Sequence, residues 1–143
     1  MRKSNILFGF LALITVSCGT QKELTGEKPL YEVMYQDDYA GAAIQFFEIV
    51  TESKEFKMLL NDEKLKRKIN PDDIKTSNFL ILNLGEKSSG GYAIGVEKVE
   101  ETTDNILVTV KEVSPKPGEN ITFAMTYPMC IVKINSKKEV IFK

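Results

Sequence analysis

Side chains able to do covalent or metal chemistry are scarce in this sequence. Histidine is absent, which removes Ser-His-Asp and Cys-His relays and every histidine-ligated zinc site. The only cysteines are Cys18 and Cys130, too few for a thiolate metal cluster. Adjacent carboxylates occur at Asp37-Asp38, Asp72-Asp73 and Glu100-Glu101. Glycoside hydrolysis needs two carboxyls held across a cleft by separate elements, so neighbours in polar stretches read as solvated turn residues. The ligand spacing of a calcium-binding loop is not met. The expectation is therefore no catalytic residue, no metal and no cofactor.

One stretch imitates a phosphate loop. In "GEKSSGGYAIGV", Gly85 and Gly90 have the required gap, but Gly91 stands where a lysine belongs and a strand follows where a helix should open. The alternative reading is a turn in which Gly90 and Gly91 supply backbone freedom and Tyr92 seats its ring at the start of the next strand.

The N-terminus speaks to location. "MRKSNILFGFLALITVSCGT" has two cations, Arg2 and Lys3, and then an uncharged apolar run from Ile6 to Val16. That run is shorter than the roughly 20 residues of a membrane-spanning helix and has the form of an export signal. Ser17 before Cys18 resembles the lipobox of bacterial lipoprotein signals, with Thr15 where leucine is usual. The resemblance implies cleavage after residue 17 and diacylation of Cys18, an anchor strengthened by about 0.8 kcal/mol per buried CH₂. An ordinary signal peptide with Cys18 as an incidental thiol is the alternative. Cleavage removes Arg2 and Lys3, leaving 17 basic against 20 acidic residues, a net charge of −3. This acidic balance offers no footprint for nucleic acid. Cys130, in "TYPMCIVKI", aligns with Val132 and Ile134 and reads as a buried, inert thiol.

These features need a scaffold. Residues 18–29 read as the lipidated cysteine and a flexible tether, and 30–143 as a single α+β domain. "LYEVMYQDDYAGAA" lacks a clean period and reads as irregular. "AIQFFEIV" (43–50) reads as the first strand. A helix capped by Thr51 or Ser53 follows, with Phe56, Leu59 and Leu60 on one face and Leu65 further along, ended by Asn70-Pro71. "NFLILNL" (78–84) is apolar on both sides, as in a doubly covered strand. "YAIGVEKV" aligns Tyr92, Ile94 and Val96, after which Val99 breaks the alternation and marks a bulge near Glu97 and Lys98. A turn at Asp104-Asn105 leads into "NILVTVKEV", with Ile106, Val108 and Val110 on one face. "ITFAMTYP", "MCIVKI" and "EVIF" read as further strands. The architecture expected is one N-terminal strand and helix followed by a mostly antiparallel β-sheet.

The run from Ser88 to Ile134 resembles the C-terminal domain of the protease complex subunit PrcB family. The marks are Gly90, Gly91 and Tyr92 at the turn, Val108 and Val110 in the valine-rich strand, Pro115, Pro117 and Gly118 in the loop, and Thr126 and Pro128 before the last strand, with Tyr127 in a variable place. The resemblance implies a small bacterial lipoprotein domain whose namesake accompanies a subtilisin-like surface protease, and it supplies no catalytic residues. The same positions are the candidate partner surface. The function expected is a lipid-anchored, non-catalytic accessory or binding subunit of the cell envelope, held in the membrane by its lipid and partnered by an exported protease or another envelope protein. Gly19 after the cysteine is not aspartate, which by resemblance to bacterial sorting habits implies the outer membrane. A histidine-independent hydrolase and a structural envelope lipoprotein without a protease partner are the alternatives. Radiolabelled palmitate is expected to enter the wild-type chain and not Cys18→Ala; equal labelling of both would refute lipidation at Cys18.

Overall fold

The computed structural model describes residues 28–143, so Cys18 and residues 1–27 as a whole lie outside the described residues. Seven strands and one helix follow in the order β1 (Tyr31–Asp37), β2 (Phe46–Val50), α1 (Ser53–Leu60), β3 (Asn78–Asn83), β4 (Ala93–Glu101), β5 (Asn105–Val113), β6 (Met129–Ile134) and β7 (Glu139–Phe142). The described residues are mostly β, with largely antiparallel sheets and one α-helix. A four-stranded sheet runs in the order β1-β6-β3-β2, and a three-stranded sheet in the order β4-β5-β7. Every pairing is antiparallel except β5 with β7, which is parallel.

The alternation within β3 and β6 builds both cores. Leu80 pairs with Val132 and Leu82 with Cys130, and these side chains pack against Ile94, Ile106 and Val108 of the three-stranded sheet. Phe79 and Ile131 point the other way, toward Phe56 and Leu59 of α1. Phe56 and Phe79 lie with ring centroids 4.7 Å apart, within the range of favourable aromatic pairs. The expected double covering of residues 78–84 is thus observed. So is the bulge, since the β4–β5 register shifts between Val96 and Lys98 and Val99 returns to the core side. Ile94, Ile106, Val108, Val132 and Ile134 are buried, with Tyr92, Val96 and Val110 packed half-buried against them.

Three expectations are corrected. Two strands precede the helix, because the segment that reads as irregular forms β1; its period is broken by a register shift between Val33 and Tyr35, which hides the alternation. The helix ends at Leu60, well before Asn70-Pro71, and is preceded by Glu52, whose side chain makes no capping bond. The Asp62 carboxylate accepts from the Lys64 N–H at 2.7 Å, a local turn that competes with helix continuation. The chain then proceeds in tight turns that bury Leu65 and Ile69 in the core beneath α1. Finally, "ITFAMTYP" forms no strand and contributes only an isolated bridge between Lys87 and Thr126.

One charge is buried in this frame. Lys133 of β6 faces the helix side at 8% exposure, and its Nζ lies 2.9 Å from Asp73 Oδ1 in the short 3₁₀ turn Asp73–Lys75. Burial alone would raise the Asp73 pKa, but the Asn70 N–H and the Lys133 ammonium outweigh it and hold the carboxyl below its ordinary value. A carboxyl lowered in the folded state contributes stability above its unfolded pKa of about 3.9, and that contribution disappears as the pH falls through the lower folded value. Asp73→Asn is expected to cost roughly 2 to 4 kcal/mol at neutral pH by leaving Lys133 unpaired. Its loss of stability on acidification should also be shallower than the wild type's. Urea titrations across the acid range measure both; a wild-type midpoint at neutral pH would show that the pair does not matter.

Candidate functional site

The sequence marks converge on two loops clasped together. One is the β3–β4 connection, residues 84–92; the other is the long β5–β6 connection, residues 114–128. Thr126, only 1% exposed, is the pin. Its N–H donates to the Lys87 carbonyl at 2.9 Å, its carbonyl accepts from the Lys87 N–H at 2.8 Å, and its hydroxyl donates to the Ser89 carbonyl at 2.8 Å. Next to it the Gly90 N–H donates to the Thr122 carbonyl at 2.9 Å, and the Leu84 N–H donates to the Pro128 carbonyl at 2.9 Å. These otherwise orphaned loop groups thereby find backbone partners, as burial requires.

Packing at the clasp explains the paired glycines. A Cβ at Gly90 would lie 2.4 Å from Thr122 Oγ1. Gly91 has φ +86° and lies under Pro115, whose Cβ is 3.0 Å from where a Gly91 Cβ would stand, with Ile121 3.4 Å away. The first glycine permits close approach, and the second a backbone region that L side chains rarely adopt. Tyr92 packs its ring against the core with the Lys87 ammonium 5.9 Å from the ring centroid, within cation–π reach. The turn reading of "GEKSSGG" therefore fits, with the strand β4 opening at Ala93.

Not every marked residue joins the clasp. Pro117 and Gly118 form the exposed tip of the second loop. The Glu119 N–H donates to the Lys116 carbonyl at 3.1 Å across them, Gly118 has φ +84°, and nothing lies within 4 Å of its Cβ position. Proline followed by a positive-φ glycine is the signature of a type II turn. Beyond the tip, Phe123 is 91% exposed and Met125 51% exposed. Sequence reasoning missed both because it placed them in a strand. The usable signal was Pro128 together with the Pro-x-Pro-Gly run, which brackets this segment with loop-forming residues.

The carboxylate pairs do not converge. Asp37 accepts from the Tyr35 hydroxyl at 2.7 Å and from the Tyr39 N–H at 2.7 Å, bonds that lower its pKa, with Lys64 3.9 Å away. Asp72 pairs with Lys75 at 2.6 Å and Asp73 with Lys133. Glu100 pairs with Lys98 at 2.7 Å, which lowers its pKa, and Glu101 with Lys138 at 2.8 Å. Among the described residues no group of three His, Cys, Asp or Glu side chains could hold a metal ion. Cys130 is wholly buried between the sheets, and desolvation pushes its thiol up to about 11, far from a reactive thiolate. No helix among the described residues is long and apolar enough to cross a membrane.

Residues 79–135 match the family model described as PrcB C-terminal. That segment is similar to the PrcB C-terminal family. No curated protein and no solved structure matches the chain. The matched segment begins within β3 and ends just past β6, so it contains both clasped loops and the strands that carry them. β1, β2, α1 and β7 lie outside it.

Gly91→Val forces a β-branched residue into positive φ against Pro115. It is expected to cost on the order of 1 to 3 kcal/mol and to lower the thermal midpoint by several degrees. The measurement is a calorimetric melt alongside Gly90→Ala, which tests the close approach to Thr122 separately. A Gly91→Val protein with wild-type stability would remove the folding role from this turn.

Proposed function

We propose that this chain is a non-catalytic accessory subunit of a bacterial envelope protease complex, anchored through a lipid on Cys18 in the outer membrane, and that the clasped loops present its partner-binding surface. The observation that carries the reading is the contrast between Thr126 and its neighbours. A fully buried, triply bonded threonine fixes the segment that leaves Phe123 and Met125 in solvent. An exposed aromatic on an anchored loop suits a protein contact, because little ordering entropy remains to be lost on binding. The PrcB C-terminal match supports association with a protease complex. In this reading Pro117 and Gly118 extend the surface, while Gly90, Gly91, Tyr92, Pro115, Thr126 and Pro128 hold it in shape.

Phe123→Ser tests the surface without touching the core, since the side chain is 91% exposed. Truncating an aromatic anchor is expected to weaken partner affinity by about 2 kcal/mol, roughly thirtyfold, with an unchanged melting midpoint. Affinity capture from bacterial membranes followed by mass spectrometry should recover an exported protease with the wild type and lose it with Phe123→Ser. Identical recoveries with both proteins would sink the assignment of this loop.

A further inference from the structure

A second surface lies on the helix-facing side of the four-stranded sheet. The short helix α1 covers only part of that face, and beside it runs a groove of about 420 Å³. Its floor is apolar, formed by Ile81, Met129 and Ile131, and its wall on α1 is Met58, 75% exposed. The volume falls within the range of ligand-binding clefts, and methionine lets such a lining adapt to different side chains.

The rim is asymmetric in charge. Glu48 of β2, Glu55 of α1 and Asp62 line the groove, and none of the three makes an ion pair among the described residues. The one cation of the lining, Lys64, is engaged elsewhere: its ammonium hydrogen-bonds the Tyr35 hydroxyl, lies 4.6 Å from that ring's centroid and sits 3.9 Å from Asp37. These contacts, with the nearby Asp62 carboxylate, hold its proton and raise its pKa. Glu48 and Glu55 are therefore left without a cation beside an apolar floor, while the Asp62 carboxylate accepts from the Lys64 N–H.

We infer that this groove binds an extended peptide segment whose apolar side chains fill the floor while flanking lysine or arginine residues meet Glu48 and Glu55. The inference rests on the reading of the chain as a binding protein but on neither the protease nor the Phe123 loop. Charge complementarity selects the occupant. An acidic or uncharged apolar segment would gain the floor and forfeit the rim, and a polar cationic segment would gain only screened surface attraction.

Isothermal titration of the full chain in lipid nanodiscs tests this with three synthetic pentapeptides. The first carries leucine, phenylalanine and valine between terminal lysines, the second replaces the lysines by glutamates, and the third replaces the apolar residues by serines. The first is expected to bind about tenfold more tightly than either other peptide and to weaken as salt rises. The Glu48→Gln/Glu55→Gln double variant should lose most of the preference for lysine over glutamate flanks, and Met58→Ser should weaken the first peptide several-fold. Both variants change exposed residues, so their melting midpoints should match the wild type. Equal affinity for the first two peptides, equal affinity for the first and third, or no binding of any would overturn the inference. So would sedimentation showing a dimer that Met58→Ser dissociates, since a second copy would then occupy the groove. Loss of the peptide result with intact Phe123-dependent capture refutes the groove alone; the reverse pattern refutes the protease assignment and leaves the groove standing.

Discussion

The fold depends on a central strand pair, β3 and β6, that is apolar on both faces. Neither face can be left to water, since each buried apolar side chain is worth on the order of 1.5 to 3 kcal/mol relative to exposure. One face recruits α1 and the turns that follow it, and the other recruits an entire second sheet. Polar residues mark where this demand ends. Asn78 and Asn83 bracket β3, and buried Asn83 meets its own needs by bonding Ala42 and Ile44, which fixes the β1–β2 connection against the sheet. Lys133 is the exception inside β6, and its charge is tolerated because the 3₁₀ turn brings Asp73 to it. A salt bridge in that position is weak evidence for net stabilisation, but it fixes which turn lies over which strand.

The same constraint places the loops. β3 must leave the four-stranded sheet to begin β4 in the other, and the chain must come back from β5 to enter β6 beside β3. Both crossings occur at one end of the β3–β6 pair, so the two connections are forced into contact. The Gly90-Gly91 turn lets them approach, and Thr126 joins them. The family marks that look scattered in sequence are in large part the parts of one junction between two sheets.

Much of this was legible in the sequence where local pattern and final environment agree. "NFLILNL" announced a strand with two covered faces, and the broken alternation at Val99 announced a bulge that the register confirms. The failures share one cause, which is that tertiary partners decided the outcome. β1 carries a register shift that only its pairing with β6 explains. Leu65 and Ile69 share the core of Phe56 and Leu59, yet an Asp62 turn carries them there by a path other than helix continuation. "ITFAMTYP" has the composition of a strand, but its backbone bonds go to loop residues, Lys87 and Gly90 of the β3–β4 connection among them, and to no strand, so it spans the junction as a loop with Phe123 turned outward. The absence of histidine in the composition could be read directly, whereas the uncompensated acids around the groove could not, because Lys64 is distant from Tyr35 and Asp37 in sequence and is diverted to them only in the fold.

In the proposed accessory role, recognition turns on the stiffness of the loops. A connection as long as residues 114–128 would ordinarily sample many conformations, and ordering it on binding would consume much of the interaction energy. Here the cost is met during folding, by Thr126 in the middle of the junction and by the Pro117-Gly118 turn at the tip. Core packing and surface presentation are therefore linked through the junction: a change at Gly91 or Thr126 that loosens the sheets must also loosen the segment bearing Phe123. A change at Phe123 itself leaves the junction intact. That asymmetry separates residues that build the surface from those that form it, and it follows from burial alone.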